Sequence, residues 1–166
     1  MARRTAGEGI DFEALYRTSR DDVYAYVAGM LRDRASAEEV TAAAFERALT
    51  RRSSYTPGRG SPRAWLFGIA RNAAYDELRR RRRTQPAADP EERSVPTGDT
   101  TADVAVRRAA LASALKQLSQ EERELVALRF EAGLSGAETG AVLGISETNV
   151  GTRLSRAMAK LREAMG

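Results

Sequence analysis

Residues 61–83, SPRAWLFGIARNAAYDELRRRRR, constrain this chain more than any other stretch, because one continuous run carries a helix start, an apolar stripe and a charged end. Ser61 supplies a side-chain oxygen for an N-cap. Pro62 fits the first helical position, where its missing N–H would be unpaired in any case. Trp65, Ile69 and Ala73 recur every four residues with Leu66 and Ala70 beside them, so one broad face is apolar while Arg71, Asn72 and Asp76 lie on the other. Such a face requires partner helices. Arg79 to Arg83 complement the negative end of the helix dipole and offer cations to phosphates. Aromatic rings beside arginines suit single-stranded nucleic acid, whose bases stack while its backbone follows positive charge.

The rest of the chain supplies those partners, and none of it alternates as a strand would. Phe12, Leu15, Tyr16, Val23, Val27, Met30 and Leu31 line one side of a helix opening at Asp11. Ser36 with Glu39 three residues on reads as the capping box of a second helix, with Val40, Ala44, Phe45, Ala48 and Leu49 inward. A turn-rich basic loop, TRRSSYTPGRG, then delivers the chain to Ser61. Three helices predict a small bundle whose core includes Phe12, Leu15, Val27, Phe45, Trp65 and Ile69.

Beyond Arg83 the composition changes. Residues 84–103 hold three prolines, few apolar groups and net negative charge, which predicts a linker. Periodicity resumes with Leu111, Leu115 and Leu118, then with Leu125, Val126 and Leu128 behind a cap at Ser119, ending at Gly133. Ser135 and Glu138 form a second capping box, Gly144 a left-handed C-cap, and Ser146 the cap of a last helix with Val150, Leu154, Ala157 and Leu161 inward. The reading is all-α: a flexible tail over 1–10, a helical bundle over 11–83, an acidic linker over 84–106 and a second small domain over 107–166.

Charge follows the same division. Residues 1–83 carry 17 basic and 11 acidic side chains, residues 84–106 one and five, and residues 107–166 nine and seven. Two basic blocks flank an acidic connector. There is no Cys and no His, which excludes disulfides, Cys/His zinc sites, thiol nucleophiles and histidine bases. Glu38 and Glu39 are explained as helix-start residues rather than as a catalytic pair. No catalytic, cofactor or metal site is expected. With no apolar run of about 18 residues and no signal-like N-terminus, the expectation is a soluble, cytoplasmic protein without membrane insertion.

Leu134 to Arg162 has the layout of a helix-turn-helix, with a short helix, a tight turn at Gly144–Ile145–Ser146 and a longer helix. Asn149, Thr152, Arg153, Arg156 and Lys160 lie on its outward side, where Asn and Arg suit base edges and the others phosphates.

At this point the motifs resemble the extracytoplasmic-function (ECF) sigma factors, the two-domain group of the sigma-70 family. PRAWLFGIARNAAYDELRRRRR is similar to the signature of the σ2 domain; LKQLSQEERELVALRF, GLSGAETGAVLGIS and VGTRLSRAMAKLR follow the σ4 pattern in order. The resemblance implies a factor that binds core RNA polymerase through the β′ clamp and β flap, recognises promoter DNA, melts the −10 element and starts transcription, held in check by an anti-sigma factor. It assigns Glu38, Glu39, Phe45 and Arg47 to the clamp. To the −10 element it assigns Arg59, Ser61 and Arg63 around the loop 56–63, and Trp65, Arg71, Asn72, Asp76, Arg79 and Arg80 on the helix. Ser146, Asn149, Thr152, Arg153, Ser155, Arg156 and Lys160 would read the −35 element.

Three departures from the family pattern stand out. Glu39, Val40, Thr41, Ala42, Ala43 and Ala44 precede Phe45 where the family usually has an acidic residue followed by Leu-Val-Gln-Glu, so polar groups are missing there; Gly151 replaces a frequent basic residue, and Leu118–Ser119 replaces Leu-Pro. The alternative reading is a sigma-like helix-turn-helix regulator without productive polymerase engagement.

Overall fold

The structure is a computed structural model that describes residues 10–84 and 101–166. Every regular element among them is helical. The expected tail lies outside the described residues except for Ile10, which packs half-buried on the core. Most of the expected linker, residues 85–100, lies outside them too.

Helix α1 (Phe12–Leu31) is capped by Asp11, whose carboxylate accepts the Ala14 N–H at 3.1 Å. Arg32 ends it with φ 52° in the left-handed region, and only Asp33 then precedes α2 (Arg34–Thr50). The cap expected at Ser36 is therefore a correction. Chain reversal is complete by Asp33, so the helix already runs at Ser36, whose hydroxyl donates to Asp33 Oδ2 at 2.8 Å. A 3-10 turn (Arg52–Ser54) leads through a loop to α3 (Pro62–Thr84). Its start is as the sequence predicts, with Ser61 Oγ accepting the Ala64 N–H at 3.1 Å.

Helices α1–α3 form the bundle. Leu15, Val27 and Phe45 are buried as expected, whereas Phe12, Trp65 and Ile69 sit half-buried at its edge. Helix α3 is rotated from the expected stripe, burying Leu66, Phe67, Ala70, Ala73 and Ala74. Small residues at three of those positions let α1 and α2 approach closely, while Trp65 packs edge-on against Tyr55 of the preceding loop at 5.8 Å. Tyr26, at 0 % exposure, heads the fully buried side chains by size.

The C-terminal module opens with α4 (Ala102–Leu115), inside the stretch expected as linker. Only Ala114 of α4 is buried, and Leu111 is 42 % exposed rather than inward. Helix α5 (Gln120–Val126) begins with a capping box between Ser119 and Glu122. It continues into a π-helical turn (Ala127–Glu131), where the Ala132 N–H reaches Ala127 O at 2.9 Å. The expected Ser135–Glu138 box opens α6 (Gly136–Leu143), Gly144 closes it at φ 71°, and Ser146 caps α7 (Glu147–Met165).

Ala114, Leu118, Ala157 and Leu161 make a small core of this module's own. Leu128, Ala132 and Leu134 instead belong to the core built by α1–α3. Burying a leucine side chain is worth about 1.5–3 kcal/mol, so Leu128 and Leu134 tie the two modules together with several kcal/mol.

Candidate nucleic-acid interface

The geometry of the helix-turn-helix rests on Gly140. A Cβ there would lie 2.6 Å from the backbone oxygen of Ile145, so only glycine lets α6 approach the turn this closely. The Ile145 N–H donates to Gly140 O at 3.0 Å, and Ser146 Oγ accepts the Asn149 N–H at 3.1 Å, fixing where α7 starts. Val150, Ala157 and Leu161 face inward. Thr152, Arg153, Ser155, Arg156 and Lys160 are exposed, while Asn149 is half-buried and holds Arg153 Nε through its side-chain oxygen at 3.1 Å. Lys160 pairs with Glu122 of α5 at 2.6 Å, which keeps that carboxyl below its ordinary value. Lys160 therefore braces α7 on α5 as well as adding charge to its outer face.

The α3 surface is more tightly networked. Asn72 and Arg59 are exposed. Asp76 lies 3.6 Å from Arg47 of α2 and 3.3 Å from Arg79, while Arg80 is held by both oxygens of Glu77 at 2.9 and 2.7 Å. Arg81 donates to Leu31 O at 2.7 Å, so part of the arginine run fastens α3 to the end of α1. The loop before α3 is pinned where Tyr55 donates its hydroxyl to Gly60 O at 2.9 Å.

Three members of the expected −10 set reach across to the C-terminal module. Ser61 donates to Glu138 Oε2 at 2.6 Å. Arg63 holds Ser19 at 3.2 Å and Asp22 at 2.6 Å, and also donates to the carbonyl of Ala132. Arg71 donates through Nε to Glu124 at 2.5 Å and stacks 4.8 Å from the Tyr75 ring centroid. Glu124 is 6 % exposed and accepts two further hydrogen bonds, from Tyr26 and Tyr75, each at 2.8 Å. Burial, then the adjacent Glu124 charge, pushes the Tyr26 phenol far above its ordinary value. Burial works against the Arg71 charge, yet the Glu124 hydrogen bond and charge outweigh it and raise its pKa.

Sequence reasoning missed Glu124, Tyr26, Tyr75 and Glu138 as members of this network. One signal was available: Glu124 stands four residues before Leu128, which places a carboxylate on an apolar stripe. On α2, Glu38 and Glu39 are exposed, but Phe45 is 5 % exposed, edge-on to Tyr16 at 4.9 Å and to Phe12 at 6.5 Å. Phe45 supports that surface from beneath rather than forming it.

Comparison with known proteins places this architecture. Residues 15–84 match the family described as Sigma-70 region 2, and residues 108–161 the one described as Sigma-70, region 4. The chain is 37 % identical to RNA polymerase sigma factor CarQ of Myxococcus xanthus, over 100 % of this chain and 95 % of that one. This chain belongs to the sigma-70 family. Within that family it groups with the ECF sigma factors, being 32 % identical to ECF RNA polymerase sigma factor SigL of Mycobacterium tuberculosis over 95 % of this chain and 90 % of that one. Solved sigma factors share the fold. CnrH in complex with the cytosolic domain of CnrY superposes with TM-score 0.67 at 26 % identity, covering 95 % of this chain and 90 % of that one. RpoE in complex with the anti-sigma factor NepR from Bartonella quintana gives TM-score 0.75 at 24 % identity, covering 93 % and 96 %. As an ECF sigma factor, the protein is a DNA-binding factor that directs RNA polymerase to initiate transcription.

Among the described residues no helix is long and apolar enough to cross a membrane.

Proposed function

We propose that this sigma factor divides promoter recognition between its two modules according to the form of DNA each meets. Helix α7 reads duplex −35 sequence with Asn149, Thr152, Arg153 and Arg156, flanked by Ser146, Ser155 and Lys160. Helix α3 and the loop 56–63 hold the separated −10 strand, with Asn72 and Trp65 toward bases and Arg59, Arg63, Arg71, Arg79 and Arg80 toward the backbone. Glu38, Glu39 and Arg47 of α2 dock on the polymerase β′ clamp, and the C-terminal module docks on the β flap. The protein acts in the cytoplasm, has no catalytic role of its own, and takes an anti-sigma partner, as RpoE does in its complex with the anti-sigma factor NepR.

The observation that carries this reading is the contrast between the surfaces. The outer side of α7 is an exposed polar row on a helix whose angle is set by the Gly140 turn, as a major groove requires. The α3 surface instead combines the half-buried Trp65, backed by the buried Tyr55 of the preceding loop, with arginines, as an unpaired strand requires.

Holoenzyme reconstituted with core polymerase tests it on closed and premelted templates. Arg153→Ala or Arg156→Ala should weaken duplex promoter binding by roughly 1–3 kcal/mol. Asn72→Ala should leave duplex binding intact and slow opening, and a preformed bubble should bypass that defect. Equal loss of duplex binding from Asn72→Ala and Arg156→Ala would reject the division of labour.

A further inference from the structure

Tyr75, Leu78, Arg79 and Arg82 stand at i, i+3, i+4 and i+7, so they form one stripe along the last turns of α3. That stripe is one wall of a cleft of about 470 Å³, and Gln120 and Glu121 from the first turn of α5 line the other. The volume lies within the range of about 300–1,000 Å³ usual for small-molecule sites. No residue of α6, α7 or the loop 56–63 lines it.

The arginine run is divided by its partners. Arg80 is held by both oxygens of Glu77, and Arg81 by Leu31 O and Glu77. Arg79 keeps a contact of 3.3 Å with Asp76 while its side chain stays 63 % exposed. Arg82 is exposed and makes no hydrogen bond or ion pair among the described residues. Across the cleft Glu121 is exposed and equally unpaired, and no ion pair joins it to either arginine. Opposite charges on facing walls that do not meet leave room for a ligand carrying both an anion and hydrogen-bond donors.

Two guanidinium forks one helical turn apart, with Cβ atoms about 5–6 Å from each other, suit neighbouring phosphates. Tyr75 is held by its hydroxyl on Glu124 at 2.8 Å and by the Arg71 guanidinium 4.8 Å from its ring centroid, so with Leu78 it offers a fixed apolar wall to a base. The Glu121 carboxylate and the Gln120 amide oxygen accept from N–H and O–H groups of a base or ribose. A continuous strand would instead carry phosphates along the Glu121 wall, where like charge opposes them. We propose that this cleft binds a nucleoside di- or triphosphate, with its phosphates on Arg79 and Arg82 and its nucleoside toward Tyr75, Leu78 and Glu121. The site lies beyond promoter recognition and does not depend on it.

Calorimetry of the full-length protein with ATP, GTP and inorganic triphosphate, at one ionic strength and without DNA or polymerase, tests this. At least one nucleotide should bind one to one and more tightly than triphosphate. Arg82→Gln removes a charge-assisted contact and should weaken nucleotide binding roughly ten- to a hundredfold. Arg17→Gln, the same change of charge at an exposed position of α1, should leave it unaltered. Glu121→Gln should separate the ligands: triphosphate gains affinity as repulsion falls, while the nucleotide loses an acceptor and its advantage over triphosphate shrinks. All three side chains are exposed and unpaired among the described residues, so the variants keep the fold, which circular dichroism checks.

No nucleotide binding up to millimolar concentration, triphosphate binding as tightly as the nucleotides, or equal losses from Arg82→Gln and Arg17→Gln would overturn the proposal. A fluorescent single strand serves as a further probe. If it alone loses affinity through Arg82→Gln, the cleft belongs to the separated strand and the nucleotide site is refuted. Because the calorimetry contains neither template nor polymerase, its outcome is independent of whether Asn72→Ala and Arg156→Ala discriminate duplex from premelted promoters.

Discussion

The same substitution, glycine to alanine, should have opposite consequences at two positions of the helix-turn-helix. At Gly140 an added Cβ would meet Ile145 O at 2.6 Å, Ser146 C at 3.5 Å and Glu147 N at 3.6 Å. The first distance lies nearly 1 Å inside an ordinary contact of about 3.5 Å. All three atoms are backbone, so relief requires the turn itself to shift. Such overpacking costs about 1–3 kcal/mol, and against it alanine gains about 1 kcal/mol of helix propensity. Gly140→Ala should therefore destabilise by up to about 2 kcal/mol. At Gly151, inside α7, nothing lies within 4 Å of the added Cβ, and only the propensity gain of about 1 kcal/mol remains. Urea unfolding of the full chain followed by far-ultraviolet circular dichroism reads both. With a slope of about 2 kcal/mol per molar, the midpoint should fall by up to about 1 M for Gly140→Ala and rise by about 0.5 M for Gly151→Ala. Duplex affinity adds a second readout, because Gly140→Ala displaces the turn that aims α7. A stabilised Gly140→Ala protein, or a destabilised Gly151→Ala protein, would refute the argument from space around each glycine.

Two further outcomes follow from the boundary between the modules. Tyr26→Phe removes a hydroxyl that donates to a buried carboxylate at 2.8 Å and should cost about 1.5–3 kcal/mol, measurable by thermal unfolding; a change within 0.5 kcal/mol would mean that Glu124 does not need that donor. For Glu138, burial favours the neutral acid, but hydrogen bonds from Ser61 and Ser135 and the nearby Arg63 charge win and hold its pKa below 4.5. Its folded value is thus lower than its unfolded one, so its stabilisation is complete above pH 4.5 and disappears as acid takes the pH down through the lowered value. Glu138→Gln should flatten the acid limb of the stability profile, and an unchanged limb would count against that hydrogen-bonded carboxylate as its source.

Helix boundaries were legible wherever a local side chain satisfies a terminal backbone group. Ser61, Ser119, Ser135, Ser146 and Gly144 all act where the sequence placed them. Ser36 misled because the backbone at Arg32 and Asp33 turned first, leaving no unpaired N–H for it to cap. The rotation of α3 was hidden because periodicity distinguishes apolar from polar faces but does not weigh alanines that allow close approach against a tryptophan that demands room. Asn149, Arg153 and Arg156 could be placed together on α7 because they follow from one helical phase. The Glu124 network could not be read this way. Its partners lie 98, 53 and 49 residues away in sequence, and in EERELV a glutamate looks like one more solvated charge.

The π-helical turn at Ala127–Glu131 also makes chain length a setting of angle. A π turn holds one residue more than the α-helical ladder around it, and each residue of an α-helix advances the side chains by about 100°. Deleting one residue there would restore an unbroken ladder. It would also swing everything downstream, α6 and α7 included, by roughly a quarter turn about the α5 axis. Leu128 and Leu134 would lose their places beside α1, and the basic face of α7 would point in a new direction although no residue of α7 had changed. The orientation of α7 is thus encoded partly by a count of residues upstream, and a length variant at this turn differs from any point substitution in re-aiming a module while leaving its surface chemistry intact.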